Sequence, residues 1–298
     1  MNAIFDDSLA RHIEAMSLHL DANLAGSVGG SHKTMTYGST TEFADYREYV
    51  LGDDVRHIDW NIFSRFEKYY IKQFTDERRM HTQILLDCSA SMDAAPQKSR
   101  HALRIAAALG FLSVHSMDKL AIRLIKGGEI EDIDGTISGK EAFYNALLPL
   151  EKASFGGDSD FETAVLNCGS LGLNDGLTVL ISDFFTAGNW KKAVDYLLFR
   201  KRRVLLVQVL SPEEADPYCK GRINFLDAET AGDAGDGRHL KLKVGKDDLS
   251  AYRSALAEFL GDIKKFCSDR GVFYVYSLCT ERLEKSLLEK LYFAGIAK

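Results

Sequence analysis

The sequence predicts an α/β fold built on a doubly wound, mostly parallel sheet with helices on both faces. From residue 82 onward, short apolar runs alternate with longer helical patterns, which is the order that successive βαβ units produce. One run, residues 204–210, is almost continuously apolar, as is typical of a strand buried inside a parallel sheet. Two other runs end on acids, Asp87 and Asp183, and the carboxyl ends of strands are where such sheets bind ligands.

The first 80 residues are predicted to contain a helix, a loop and a strand. Residues 8–24 predict an amphipathic helix, because large apolar residues recur at spacings of three and four. These residues are Leu9, Ile13, Met16, Leu20 and Leu24. We expect this apolar stripe to dock on the body of the protein, since its other face is poor in the basic residues of a membrane-surface helix. A loop rich in glycine and serine follows at 26–31, residues 42–66 show no clear periodicity, and residues 68–74 predict a strand.

From residue 82 each element is predicted from its own pattern. Strands are predicted at short apolar or β-branched runs, namely 83–87, 120–125, 177–182, 204–210 and 272–276. Helices are predicted where apolar residues recur with the helical period, namely 98–115, 140–150, 161–171, 190–199, 249–267 and 283–291. A β-hairpin is predicted from residues 223–227 and 239–244, which a Gly- and Asp-rich segment connects. We therefore divide the chain into an N-terminal extension packed on the core, residues 1–80, and one domain, residues 81–298.

Composition and charge narrow the class of protein. The chain has 298 residues, with 37 lysines and arginines against 43 acids, for a net charge of −6. A mildly acidic protein lacks the dense basic surface of non-specific nucleic-acid binding, so we expect no nucleic-acid partner. No apolar stretch reaches the roughly 18 residues of a membrane span, and the start of the chain shows no signal peptide. The five cysteines form no disulfide or metal pattern, so we expect a cytoplasmic location.

An all-oxygen set of side chains follows the predicted strand ends. Asp87, Ser89 and Ser91 stand at two-residue spacing, which can point their oxygens to one side of a looping segment. A glycine-bent loop, residues 156–160, adds hydroxyl and carboxylate groups, and Asp183 ends a further strand. Hard cations take such oxygen sets, and Mg²⁺ leaves some of its positions to water. Because few of these groups are anionic, a bound ion would keep positive charge and could accept a carboxylate from another protein.

Two motifs together resemble known families. The Asp-x-Ser-x-Ser pattern of residues 87–91, with a later hydroxyl loop and Asp183, is similar to the metal-ion-dependent adhesion site of von Willebrand factor A domains. Residues 41–49 (TEFADYREY) and 52–60 (GDDVRHIDW) resemble the signature of the bacterial "domain of unknown function 58" family, which lies just upstream of the same strand. The resemblance implies a von Willebrand factor A-like (Rossmann-like) domain with an N-terminal extension and a β-hairpin insertion. It also implies a partnership with a MoxR-type AAA+ ATPase in complex assembly or remodelling.

The resemblance also assigns a set of metal ligands. Ser89 and Ser91 would bind Mg²⁺ or Mn²⁺ directly, while Asp87, Ser159 and Asp183 would bind it directly or through water. An acidic residue of a protein ligand would complete the coordination of the ion. The chain would then act as a metal-ion-dependent adapter or scaffold.

The glycine-bent loop of residues 156–160, the third loop of the predicted site, departs from the family pattern. Asp158 stands directly after the glycine pair, where von Willebrand factor A sites usually carry threonine. Counting back from Ala164 gives Ser159 this position with one inserted residue, and Thr163 is a further candidate. The plainer alternative for the whole constellation is capping, since acids and hydroxyls at strand ends often cap the helix that follows.

The Asp-x-Ser-x-Ser motif of residues 87–91 is more typical of a non-enzymatic interaction module than of an enzyme. An Mg-dependent phosphatase of haloacid-dehalogenase type also starts from an Asp at a strand end, but it needs a second acid two residues later as general acid. Ser89 occupies that position. The chain also lacks a Gly-x-x-x-x-Gly-Lys-Ser/Thr loop, so ATP hydrolysis would have to come from a partner.

The charged segment 52–60 has two interpretations. Its acids and its arginine could form an ion-pair network that pins the N-terminal region, or they could form a docking surface for a partner. We favour the structural role, because an aromatic residue such as Trp60 among acids and arginine usually anchors a loop.

Overall fold

The computed structural model of the chain describes residues 4–11, 13–14, 33–35, 42–50, 53–77, 81–168, 176–186, 189–218, 221–226, 239–283, 287 and 289–293. The chain divides into two compact units. One unit combines Met1–Leu20 with Met80–Lys298, and the other is Asp21–Arg79. The start of the chain therefore belongs to the larger unit, while the packing of the predicted extension as a whole stays a prediction.

From β4 onward, one or two strands are followed in turn by one or two helices. The strands are β1 (Lys33–Met35), β2 (Glu42–Glu48), β3 (Tyr70–Glu77), β4 (His81–Asp87), β5 (Lys119–Lys126), β6 (Glu129–Asp132), β7 (Leu177–Ser182), β8 (Arg203–Leu210), β9 (Gly221–Leu226), β10 (His239–Val244) and β11 (Phe273–Leu278). The helices are α1 (described at 7–11, 13 and 14), α2 (Trp60–Phe66), α3 (Pro96–His115), α4 (Lys140–Glu151), α5 (Phe161–Asn167), α6 (Trp190–Phe199), α7 (Pro212–Ala215), α8 (Lys246–Arg270) and α9 (Glu289–Phe293).

The central sheet of the larger unit has the strand order β11-β8-β7-β4-β5-β6. Neighbouring strands pair in parallel except β5 and β6, which are antiparallel. The predicted doubly wound, mostly parallel sheet is therefore confirmed. From β4 the chain adds β5 and β6 on one side, and then crosses over to add β7, β8 and β11 on the other. The strand order reverses between β4 and β7, and the carboxyl ends of these two strands flank the crevice where such folds bind ligands.

The sheet buries apolar side chains on both of its faces. Along β4, Ile84 and Leu86 belong to one buried cluster and Leu85 to the other, as the alternation of side chains along a strand requires. Residues of α1, α3 and α4 complete the first cluster, and residues of α5, α6 and α8 complete the second. Covered in this way, β4 and β7 hold their carboxyl ends at fixed positions. No helix within the described ranges is long and apolar enough to span a membrane.

The N-terminal helix α1 packs on α3 and α4. Leu9 and Ile13 are buried in the first cluster, and the ring of Phe5 lies 5.2 Å from that of Phe111 and 5.5 Å from that of Phe143. The predicted docking of this helix is confirmed for its described part. The rest of the predicted stripe, Met16, Leu20 and Leu24, lies outside the described residues.

The smaller unit contains an antiparallel sheet with the order β1-β3-β2. β2 and α2 both fall within residues 42–66, where the sequence showed no periodicity. A register shift between Phe43 and Asp45 interrupts the pairing of β2 with β3, and this shift explains the missing alternation. A short helix of seven residues, α2, likewise spans too few turns to show a helical period.

Most predicted element bounds agree closely with the structure. β7 and α6 match their predicted ranges to the residue, and β9 and β10 pair antiparallel as the predicted hairpin. The predicted helix 161–171 ends earlier, at Asn167, and residues 169–175 lie outside the described part of the chain. The strand β6 was missed, because four residues at a sheet edge carry little apolar signal.

Candidate metal centre

Two buried acids lie at the carboxyl ends of β4 and β7, where the strand order reverses. Asp87 is the last residue of β4, and Asp183 directly follows β7. Each is only 1% exposed, and the two are near enough for the charge of Asp183 to act on Asp87. The topology of the sheet therefore brings together the two acids that the sequence singled out.

The loop after β4 places two serine hydroxyls side by side near Asp87. The Ser89 N–H donates to Asp87 Oδ1 at 2.9 Å, and the hydroxyl oxygens of Ser89 and Ser91 are 3.0 Å apart. Ser89 precedes the 3-10 turn Ala90–Asp93, yet its side chain caps no backbone N–H of that turn. Capping therefore does not account for Ser89, whose hydroxyl lies with that of Ser91 instead.

The third loop brings Ser159 to the same carboxylate. The buried Ser159 hydroxyl donates to Asp87 Oδ2 at 3.4 Å. Two backbone hydrogen bonds, of 2.8 and 2.9 Å, join this loop to the loop after β4. Gly157 makes the necessary bend with a φ of +73°, a left-handed conformation that glycine adopts without steric cost. The two loops therefore form one connected structure around Asp87.

Of the three candidates for the third-loop ligand, only Ser159 faces Asp87. Asp158 and Thr163 are both exposed. The Thr163 hydroxyl donates to Asp160 Oδ2 at 2.6 Å, and Asp160 caps α5 by accepting from the Thr163 N–H. Since Asp160 supplies this cap, capping does not explain Ser159 either.

Asp183 receives donors on both of its carboxylate oxygens. Lys98 Nζ donates to Oδ2 at 2.6 Å, and the Phe185 N–H donates to Oδ1 at 2.9 Å. Lys98 also pairs with Glu214 Oε1 at 2.7 Å, and its side chain is fully buried. The charge of Asp183 is therefore compensated inside the protein.

Asp87 forms no such ion pair. Ser182 Oγ donates to Asp87 Oδ2 at 2.6 Å, but among the described residues no lysine, arginine or histidine forms an ion pair with this carboxylate. Burial raises the pKa of Asp87, the hydrogen bond from Ser182 opposes this shift, and the charge of Asp183 adds to it. Asp87 is thus a buried carboxylate for which the described part of the chain supplies no counter-charge.

The side chains around Asp87 fit a small, hard divalent cation. The predicted ligands Asp87, Ser89, Ser91, Ser159 and Asp183 offer only oxygen, and a cation would supply the counter-charge that Asp87 lacks. In the part of the chain that the structure describes, no group of three or more His, Cys, Asp or Glu side chains is placed to hold a metal. Serine hydroxyls are therefore a necessary part of an ion site at this position.

Sequence reasoning missed three residues of this site: Lys98, Ser182 and Glu214. Lys98 stands in the first turn of α3, 11 residues after Asp87. The sequence signal that could have indicated its role was a single lysine at the start of a largely apolar helix. Ser182 is the last residue of β7, directly before the predicted acid. Glu214 lies 116 positions from Lys98, so only the folded chain shows that they pair.

The charged segment of the smaller unit forms contacts within that unit. Asp53 Oδ2 pairs with Arg47 Nη2 at 2.8 Å, and Asp59 accepts from the Tyr46 hydroxyl at 3.1 Å. Asp59 is buried and caps α2, while Asp54 caps the 3-10 turn before it. These contacts support the structural interpretation of the segment for its acids. Trp60 does not support it, because this side chain is 60% exposed and its ring contacts Phe63 of its own helix.

Comparison with protein families and curated proteins gives two findings. A family model described as "Protein of unknown function DUF58" matches residues 45–239. Uncharacterized proteins of Mycobacterium bovis and Mycobacterium tuberculosis are each 26% identical to the chain over 232 residues, which cover 76% of this chain and 73% of each relative.

Solved structures similar to the chain share little of its sequence. The conserved hypothetical protein BatB from Bacteroides thetaiotaomicron is 16% identical, with a TM-score of 0.45, and the match covers 73% of this chain and 99% of that one. The VWA domain of SpRpn10 is 8% identical, with a TM-score of 0.39, and the match covers 72% of this chain and 95% of that one. The fold described above rests on the observed topology and not on these low-scoring similarities.

Proposed function

Because the chain belongs to the DUF58 family of proteins of unknown function, we propose that it is a metal-ion-dependent protein-interaction module of von Willebrand factor A type. A single observation carries this proposal. Among the described residues, Asp87 is a buried carboxylate without an ion-pair partner, and it lies at the topological switch point beside the hydroxyls of Ser89 and Ser159.

The ion in this proposal is Mg²⁺ or Mn²⁺. Ser89 and Ser91 would bind it directly, and Asp87, Ser159 and Asp183 would bind it directly or through water. When bound, the ion supplies positive charge to which an acidic residue of a protein ligand can bind. The chain's own residues hold the hydroxyl and carboxylate oxygens close together. They do so because backbone hydrogen bonds join the loop after β4 to the loop of residues 156–160.

The partner in this proposal is a MoxR-type AAA+ ATPase, and the support for it is the family resemblance. The chain has no phosphate-binding loop of the Gly-x-x-x-x-Gly-Lys-Ser/Thr type, so we assign ATP hydrolysis to that partner. The module would act as an adapter or scaffold in complex assembly or remodelling. A cytoplasmic location and the absence of a nucleic-acid partner stay predictions from composition.

No observation favours the phosphatase alternative. Ser89 stands where that chemistry needs a general acid, and its hydroxyl lies against that of Ser91. Cys88 offers no nucleophile, because burial and, to a smaller extent, the charge of Asp87 raise the pKa of its thiol to about 12. We therefore propose a binding role and not a catalytic one.

Thermal unfolding with and without the ion tests the metal site. We expect saturating Mg²⁺ or Mn²⁺ to raise the Tm of the wild type by roughly 5 °C, because an ion at about 100 times its Kd stabilises the folded state by about 2.7 kcal/mol. The shift should vanish in Asp87→Ala and shrink in Ser159→Ala.

Asp158→Asn is the matched control, since Asp158 is an exposed acid of the same loop that does not face Asp87. It should respond to the ion like the wild type. A wild type whose Tm is the same with Mg²⁺, Mn²⁺ and EDTA would show that the proposed site binds no ion.

A further inference from the structure

Lys98 brings a positive charge into the candidate metal site from within the chain. Its side chain is fully buried, and Nζ contacts three oxygens: Asp183 Oδ2 at 2.6 Å, Glu214 Oε1 at 2.7 Å and the backbone O of Ser91 at 3.0 Å. An ammonium group has three protons to donate. These three acceptors therefore satisfy it completely without water.

The three acceptors come from three different loops of the site. Ser91 follows β4, Asp183 follows β7 and Glu214 lies on α7, which follows β8. These three strands are neighbours in the sheet. Lys98 thus connects two of the three loops that carry predicted metal ligands to another loop that carries none.

The two acids that Lys98 contacts differ in their surroundings. Asp183 is 1% exposed, whereas the Glu214 side chain is 23% exposed. Glu214 Oε2 accepts from the Ser211 N–H at 2.8 Å, in a capping box that fixes the carboxylate in place. Glu214 is therefore a fixed anion on the solvent side of the ammonium group.

A divalent cation and the Lys98 ammonium group would share the charge of Asp183. Two like charges a few ångströms apart repel each other, and in a buried site this repulsion is weakly screened. The ammonium group can keep its pairing with Glu214 if it gives up its bond to Asp183.

We propose that Lys98 is an internal cation that competes with the divalent ion for Asp183, and that Glu214 retains the ammonium group when the ion binds. This inference rests on the proposed metal site. Lys98 would lower the affinity of that site for metal without abolishing it, and a partner carboxylate that adds its own negative charge would tighten the binding of the ion.

Titration with Mn²⁺, with free Mn²⁺ followed by electron paramagnetic resonance, tests this inference on the full chain. Lys98→Met should tighten Mn²⁺ binding by roughly tenfold or more, because it removes the competing charge. Glu214→Gln should weaken binding several-fold, because Asp183 is then the one anionic partner that the described residues offer to Lys98. The two substitutions therefore act in opposite directions, which loss of structure alone would not produce.

A double variant covers the case in which Lys98→Met does not fold. Lys98→Met with Glu214→Gln removes one charge of each sign, frees Asp183 and should also bind Mn²⁺ more tightly than the wild type. Glu213→Gln is the matched control, since Glu213 is an exposed acid of the same helix α7. Its affinity should equal that of the wild type.

The outcomes separate this inference from the proposed function. Equal or weaker Mn²⁺ binding in both Lys98 variants overturns the competition, and so does unchanged binding in Glu214→Gln. If the wild type binds no Mn²⁺ and the double variant does, Lys98 excludes the ion and the metal-dependent function is wrong. If wild-type binding is lost in Asp87→Asn, the metal site stands whatever the Lys98 variants do.

Discussion

Asp87 is buried at the site without an ion-pair partner among the described residues, and this burial has an energetic consequence. A carboxylate removed from water without a counter-charge destabilises the folded state, because its ionised form loses hydration. Hydrogen bonds from the Ser89 N–H and from Ser182 Oγ offset part of this loss. The metal-free protein is therefore expected to be less stable than a variant without this charge.

We predict that Asp87→Asn stabilises the metal-free protein at pH 7 by about 1–2 kcal/mol. The asparagine keeps an oxygen for the Ser89 N–H, and the serine hydroxyls can rotate to accept from its NH₂ group. Because the folded-state pKa of Asp87 is raised, the wild type keeps its full stability below the ordinary value of 3.8 and loses it as the pH rises through the folded-state pKa. The gain in the variant should therefore shrink toward acidic pH.

Urea unfolding in EDTA at neutral and acidic pH measures this difference in the free energy of unfolding. Ser182→Ala provides a comparison, because it removes a hydrogen bond to Asp87 and should destabilise the protein at pH 7. An Asp87→Asn variant that is less stable than the wild type at pH 7 would contradict the account of an uncompensated charge.

Elements with a strong pattern of their own were predictable from the sequence, and those that depend on distant partners were not. β7 and α6 match to the residue, because a buried parallel strand is apolar throughout and an amphipathic helix shows its period. β2 depends on backbone pairing with β3 across a register shift, which the residue pattern does not show. The carboxyl ends of β4 and β7 were also predictable, and for this reason Asp87 and Asp183 were placed correctly at strand ends.

The contact between α3 and β11 should make the stability of the folded protein depend on pH. His101 on α3 is buried, and its Nε2 lies 2.8 Å from Ser277 Oγ on β11. Burial lowers the pKa of His101 from 6.5 to about 4. The folded state therefore favours the neutral ring, so its stability is complete above pH 6.5 and falls as the pH drops toward 4, while the unfolded chain takes up the proton first.

We expect this histidine to cost the wild type about 3 kcal/mol of stability between pH 7 and pH 4, because the unfolded chain takes up the proton near pH 6.5 and the folded chain takes it up only near pH 4. His101→Gln, which does not titrate, should show a flatter decline in urea unfolding over this range. His115→Gln, in the last turn of the same helix, controls for the loss of one histidine. An unchanged slope in His101→Gln would show that the ring does not titrate as described.

At the scale of the whole molecule, the site is made by residues far apart in sequence. The three acids that surround it come from the ends of β4 and β7 and from α7 after β8, and Lys98 reaches two of them across 85 and 116 positions. The sequence could place the acids and hydroxyls of the candidate site, because strand-end acids and hydroxyl loops have a recognisable pattern. It could not predict the internal cation, because pairing with Lys98 follows from the strand order and from no local motif.

The association of the whole chain with its proposed partner should depend on the metal ion. If the ion links the chain to an acidic residue of a MoxR-type AAA+ ATPase, their association must depend on the ion. Couplings of about 1–3 kcal/mol between two ligands correspond to affinity changes of about 5- to 150-fold. We therefore expect the tagged full chain to recover this ATPase from native lysate with Mg²⁺, and to recover at least about five times less in EDTA. Asp87→Ala should behave like EDTA and Asp158→Asn like the wild type. Equal recovery in EDTA would show that the partner binds elsewhere, and recovery of no AAA+ protein would show that the predicted partner is wrong.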